Sequence, residues 1–144
     1  MFSSKMIPCL LAQLKRYKMT RLKIKALEGL YAIHRFSTAS EIPSQVYESD
    51  FFSVTKIEDE ISVVCSESLS LCSEKSEKGW ACLKVLGPLD FSLTGILAKI
   101  ASSLAESGIS IFAISTYDTD YILVRSEKLE LAKEALAASG CMIM

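Results

Sequence analysis

Much of what usually announces chemistry is missing from this sequence. It holds a single histidine, His34, in a stretch without an evident Ser or Cys nucleophile motif, so nothing assembles the base and nucleophile of covalent catalysis. P-loop, GxGxxG and HExxH patterns do not occur. The cysteines, Cys9, Cys65, Cys72, Cys82 and Cys141, are odd in number and never fall in CxxC spacing. That argues against a disulfide framework or a zinc site and for reduced thiols acting as small hydrophobes in a cytoplasm. Apolar runs all fall short of the roughly 18 residues that cross a bilayer. A formal net charge of −1 gives no field that would gather polyanions, so neither nucleic acid nor a membrane is expected as a partner.

Half of the 144 residues are apolar and 23% are charged, a globular composition far from that of disordered chains. Lys15, Arg16, Lys18, Arg21, Lys23 and Lys25 crowd the N-terminal region with Tyr17 as the one aromatic among them and no Gly-rich loop, and read as a solvated basic leader. Residues 1–19 are assigned to a weakly ordered extension, with Met19 as an alternative start.

The remainder repeats itself. A shift of sixty positions sets Phe52 on Phe112, Val54 on Ile114, Glu58 on Asp118, Glu60 on Asp120, Ile61 on Tyr121, Val64 on Val124, and Ser66-Glu67 on Ser126-Glu127. The second copy, residues 79–144, begins with a strand over 80–86 ended by Gly87-Pro88. Leu93, Ile96, Leu97, Ile100 and Leu104 then form one helical stripe, and Gly108 ends that helix. Residues 109–116 and 121–125 are strands around the polar turn Tyr117-Asp118-Thr119-Asp120. Ser126 and Glu127 can cap a final helix bearing Leu129, Ala132 and Leu136, and a last short strand falls at 142–144. The first copy, residues 20–65, is looser. It has strands at 22–26 and 31–36, a short helix over 41–48 that holds Pro43 in its first turn, and a hairpin of 51–57 and 61–65. Residues 66–78, rich in Ser, Glu and Lys, read as a linker.

The expected class is α+β: βαββαβ, ferredoxin-like copies with antiparallel sheets, helices on one face, and a right-handed crossover that makes the first and third strands neighbours. Three stretches sharpen this: Glu58-Asp59-Glu60-Ile61-Ser62-Val63-Val64-Cys65, then Gly87-Pro88-Leu89-Asp90-Phe91-Ser92-Leu93-Thr94-Gly95-Ile96-Leu97, then Ile114-Ser115-Thr116-Tyr117-Asp118-Thr119-Asp120-Tyr121-Ile122-Leu123-Val124. They resemble the small tandem-ACT proteins, whose domains are similar to the regulatory part of aspartate kinase and to those of the cytosolic arginine sensor. The resemblance implies a non-catalytic regulatory or sensor protein that binds an amino acid at interfaces between paired ACT domains. It implies further that the stretches matching residues 90–95 and 116–120 line the pocket, with Asp120 facing the ligand. Leu93 stands where that sensor has an acidic residue, which removes one partner for a cationic side chain.

The residues themselves point to the same place. An amino acid presents a carboxylate and an ammonium a few ångströms apart, so its pocket needs N–H donors beside acidic acceptors. The helix opening near Ser92 offers unpaired N–H groups and Gly95 permits close approach, while Asp118 and Asp120 offer acceptors. Leu89, Asp90, Phe91, Ser92, Thr94, Gly95, Ser115, Thr116, Asp118 and Asp120 are therefore the candidate ligand-binding residues, and no cofactor or metal is expected. Simpler roles compete: Asp90 or Ser92 as a helix cap, Asp118 as a turn former, Asp120 as a charge guarding a strand edge. Two functions follow, an amino-acid sensor acting on a regulated partner or as a homodimer, and a pairing module that binds no ligand.

Overall fold

Alternating apolar and polar residues build a sheet whose organising strand is the longest. In the computed structural model, which describes residues 22–87 and 95–144, the strands are β1 (Lys23–Ala26), β2 (Tyr31–Phe36), β3 (Ser53–Lys56), β4 (Ile61–Ser66), β5 (Lys75–Val85), β6 (Ile111–Ser115), β7 (Asp120–Arg125) and β8 (Met142–Ile143). The helices are α1 (Ser44–Tyr47), α2 (Ile96–Glu106) and α3 (Leu129–Ala138). Pro43 stands at the N-cap of α1, and Gly108, at φ 71°, follows the end of α2. A 3-10 turn, Ser126–Lys128, occupies the expected cap of the last helix; α3 starts from Lys128, which makes no side-chain capping bond.

β5 serves two half-sheets. Its first part, with Ser76 against His34 and Glu77 against Ile33, pairs with β2 in the order β3-β4-β2-β5. Its second part pairs with β7 on one edge and β1 on the other, giving β6-β7-β5-β1-β8. All pairings are antiparallel except β1 with β8. In the second half the first and third strands of the copy, β5 and β7, are indeed neighbours, and its helices α2 and α3 cover one face.

Three expectations are corrected. Residues 75–78 are not linker but strand, although all four side chains are exposed. Their backbone pairs with β2, and polarity of both faces conceals that pairing from composition. β1 does not join the first copy: Ile24 faces Val85 of β5, and Met142 N–H donates to Leu22 C=O at 2.8 Å. The strand expected to open the first half is thus inserted between β5 and β8 of the second. The sixty-residue offset is one residue too long. Both hairpins close around four residues, with Lys56 opposite Ile61 and Ser115 opposite Asp120, and with Ile57 N–H to Glu60 C=O (2.9 Å) matched by Thr116 N–H to Thr119 C=O (2.8 Å). The matching frame is therefore fifty-nine residues, which places Ile61 on Asp120 and Val63 on Ile122.

Side-chain alternation separates two faces. The helix-bearing face buries Ile24, Leu83, Val85, Ile100, Leu104, Ile122, Val124 and Leu136 in the second half, and Phe36, Val46, Ile61, Val63 and Cys65 in the first. On the other face Tyr31, Val64, Trp80, Cys82 and Leu123 form one cluster drawn from both halves. The strand is re-aimed at Gly79, where the β2–β5 register shifts and φ is 79°; such a bulge bends and twists a strand. The Gly79 N–H is taken by the Glu67 carboxylate at 2.7 Å. Arg125 grips the Lys78 carbonyl (2.9 Å), pairs with Glu77 (2.9 Å) and lies 4.3 Å from the centroid of the Trp80 ring.

Candidate functional site

The β6–β7 turn is set by its threonines. Thr116 Oγ1 donates to the Thr119 carbonyl at 3.0 Å and accepts from the Thr119 N–H at 3.2 Å, closing the turn on itself. Thr119 is buried, and its hydroxyl donates to the Val85 carbonyl at the end of β5. A buried carbonyl without a partner costs about 1–3 kcal/mol, so this bond fixes the hairpin tip against β5. On the far side of β5, Leu86 N–H donates to the Lys23 carbonyl at 2.8 Å. The tip, the start of β1 and the end of β5 thus gather at one end of the sheet, where the chain leaves towards residues 88–94.

At that end Ser115 and Asp120 are cross-strand partners, and the Ser115 hydroxyl donates to Asp120 Oδ1 at 2.5 Å. Thr116 and Asp118 are exposed at the tip, beside Tyr117, which is 82% exposed. Gly95 is the N-cap of α2 at φ 82°, and a Cβ there would meet nothing within 4 Å, so backbone conformation rather than crowding demands glycine. Leu89, Asp90, Phe91, Ser92 and Thr94 lie outside the described residues. The described candidates therefore divide into Ser115, Thr116, Asp118 and Asp120 on one hairpin and Gly95 at the helix start. Sequence reasoning missed Thr119, the residue that docks the turn. The signal available was a β-branched hydroxyl among acidic turn residues, and only strand register turns it inward.

A second junction lies on the opposite face. Phe51, from the segment after α1, stacks on Tyr121 of β7 with centroids 4.4 Å apart and meets Tyr31 edge-on at 5.5 Å. Lys84 Nζ lies 5.6 Å from the centroid of the Tyr121 ring. Burial raises the Tyr31 hydroxyl pKa, with Cys82, Asp50 and Tyr121 adding to the effect. Burial also pushes the Cys82 thiol up to about 12 and raises those of Cys65 and Cys141, so all three stay protonated and pack as small hydrophobes. Cys72 is exposed. Among the described residues, no group of three or more His, Cys, Asp or Glu could hold a metal ion, and no helix is long and apolar enough to cross a membrane.

A βαββαβ order over β5 to β8, helices on one face, and a hairpin tip docked on the end of β5 define a class of small α+β domains. The second half of the chain is an ACT domain: a family model described as ACT domain matches residues 75–138, and a separate N-terminal-domain model matches residues 29–69. A crystal structure of an Agobacterium tumefaciens protein is 39% identical, covers 86% of this chain and 92% of its own, and superposes with a TM-score of 0.80. The cytosolic arginine sensor for mTORC1 subunit 1 of Pongo abelii is 32% identical over 122 residues. That match takes in 76% of this chain but spans only 36% of the sensor's length. Clostridium acetobutylicum aspartate kinase, at 15% identity and a TM-score of 0.61, covers 82% of this chain and 34% of its own, and shares the fold. The chain resembles sensing and regulatory ACT proteins rather than any catalytic kinase domain.

Proposed function

We propose that the chain is a pair of ACT-like repeats, the first degenerate, that senses an amino acid in the cytoplasm and passes the signal on through ACT–ACT interfaces. The ligand sits where residues 88–94 lead from β5 into α2. Leu89, Asp90, Phe91, Ser92, Thr94 and Gly95 supply N–H donors and wall, and Ser115, Thr116, Asp118 and Asp120 supply hydroxyl and carboxylate acceptors. The observation that carries this reading is the Thr119–Val85 hydrogen bond, which pins the acidic hairpin to the end of β5 from which that connection departs. The likeness to an arginine sensor supports an amino acid as the ligand class. The shared frame of the two hairpins, at an offset of fifty-nine, supports the repeat.

The exposed side of β6 supplies the interface. Residues 109–116 carry no charge and no proline, so this edge lacks the usual guards against pairing. A second copy can add there about a two-fold axis.

A thermal-shift panel of the twenty amino acids tests the reading. A ligand at about a hundredfold over its Kd adds roughly 2.7 kcal/mol, several degrees for a chain of this size. Asp120→Ala should abolish the shift. A flat panel from a protein that light scattering shows to be dimeric would instead support the ligand-free pairing module.

A further inference from the structure

Residues 67–74 cross the helix-bearing face of the first half, in the chain position that the second half fills with α3. Leu69 and Leu71 pack on the cluster of Phe36, Val46, Ile61, Val63 and Cys65. Few bonds hold this strap. Glu67 N–H donates to the Leu30 carbonyl (2.9 Å), Leu69 N–H to the Ser66 carbonyl (3.1 Å), Glu74 N–H to the Arg35 carbonyl (3.0 Å), and Gln45 Nε2 of α1 to the Ser70 carbonyl (3.1 Å).

The one histidine of the chain is buried on β2, 3% exposed, between Val63 of β4 and Ser76 of β5. Its Nδ1 lies 2.9 Å from Ser73 Oγ of the strap, and its Nε2 is buried without a hydrogen-bond partner. The β2–β4 and β5–β7 registers place it where the second half has Leu83, which is wholly buried. A neutral imidazole with its proton on Nδ1 leaves only a lone pair unmet at Nε2. An imidazolium places a charged N–H there with nothing to receive it, at a far higher desolvation cost.

We propose that residues 67–74 are an acid-released strap: protonation of His34 at Nε2 lifts them and exposes the apolar face formed by Phe36, Val46, Val63 and Cys65. The surrounding elements offer the cation no relief. β5 presents Lys78, which opposes it, and β4 presents the Cys65 thiol, which burial keeps protonated. Of the strap's carboxylates, Glu74 is paired with Arg35 and Glu67 is bound to the Gly79 N–H. α1 turns Gln45 to the strap and Val46 to the core, with Glu48 exposed beyond its end.

Burial first, and Lys78 second, lower the His34 pKa from its ordinary value of 6.5. A group whose pKa is depressed in the closed form and ordinary in the open form binds its proton more readily when open. Closure is therefore at full strength above the open-state value and weakens as pH falls below it, by about tenfold per pH unit until the closed-state pKa is reached. The strap runs directly into β5, whose Lys75 and Ser76 pair with Arg35 and His34, so release also loosens the joint between the halves.

Amide hydrogen exchange at Glu67, Leu69 and Glu74, normalised to intrinsic rates, reads closure directly; Leu123 in β7 is the reference. Between about pH 7.5 and about pH 5, protection of the three amides should fall while that of Leu123 holds. His34→Leu, the residue of the second half, should make the profile flat, as should His34→Asn, which keeps a polar atom for Ser73 and cannot be charged. In the unaltered protein, NMR titration of the imidazole should give a pKa below 6.5. Flat protection in the wild type, the same fall in a variant that cannot be charged, or titration at 6.5 or above would each overturn the proposal.

Discussion

Against the helix-bearing face of the second half lie α2 and α3, and they seal Leu83, Val85, Ile122 and Val124 beneath Ile100, Leu104 and Leu136. Against the same face of the first half lie a four-residue α1 and the strap of residues 67–74. Both halves share a hairpin frame, yet one covers it with two helical turns' worth of side chains or more per helix and the other with Val46 and the partly buried Ile42, Phe52, Leu69 and Leu71. Apolar area removed from water scales stability at roughly 25 cal/mol per Å², so a half with thin cover cannot stand alone. What supports it is shared backbone. β5 completes both half-sheets, and β1 precedes the first half in sequence while lying inside the second. Unequal cores are thereby expected to unfold as one cooperative unit.

The sharpest way to break that view is Leu83→Ala. Removing a wholly buried leucine should cost about 3 kcal/mol. If the halves are one unit, Trp80 fluorescence, which reports the junction, and far-UV circular dichroism will shift together to a single lower denaturant midpoint. Two separated transitions, with the first half melting at its original midpoint, would show that sharing β5 does not couple them.

Thr119→Val tests the docking of the hairpin with a smaller effect. It keeps the shape and leaves the Val85 carbonyl without its donor, so a loss of about 1–2 kcal/mol is expected. The exchange rate of the Thr116 amide, which bonds to the Thr119 carbonyl, should rise. An unchanged midpoint and rate would mean that the tip is held by something other than this hydroxyl, and the geometry offered for the ligand site would lose its support.

The two halves differ in how far their sequence discloses their fold, for physical reasons. The apolar stripe of α2, the hairpin of β6 and β7 and the terminal β8 follow local periodicities, and they were legible because the second half buries what those periodicities present. Residues 75–78 read as linker because Lys75, Ser76, Glu77 and Lys78 bury no side chain and reveal their strand only through the partner β2. The insertion of β1 is a long-range pairing that no local pattern encodes. The offset error is more instructive. A slip of one residue leaves strand composition almost unchanged but exchanges the faces, so the sequence pattern sets Glu60 against Asp120 whereas its counterpart is Thr119. Ser115, Thr116, Asp118 and Asp120 fall on one hairpin in either register, because acidic and hydroxyl residues mark a turn. The inward role of Thr119 is not marked in the sequence, since it depends on β5 lying beside the tip.

Gly79→Ala is a third test, aimed at the joint between the halves. An added Cβ would meet only Ser126 Oγ at 3.9 Å, so the cost is the left-handed backbone, about 1 kcal/mol or somewhat more. The Glu67 contact should survive in a protein that melts slightly earlier in one transition. A splitting of the transition at this small cost would locate the coupling in the bulge rather than in the length of β5.

Arg35→Ala should have the smallest effect, and it separates the two halves most finely. Arg35 binds Glu60 at 3.1 Å, pairs with Glu74 and donates to the Asp59 carbonyl at 3.2 Å, tying its own hairpin turn to the end of the strap. The registers make its counterpart Lys84, which leans over Tyr121 instead. The second half needs no such tether because Thr119 docks its turn from within. All three members of the Arg35 ion pairs are at least a third exposed, which limits their worth to about 0.5–1 kcal/mol, less at high salt. The loss should therefore fade as ionic strength rises, and exchange should quicken at Ile57 and Glu74 while Thr116 stays as it was. Equal quickening at Thr116 would show that the two turns are coupled through the sheet, and that a polar tether in the weakly covered half also steadies the hairpin of the ligand site.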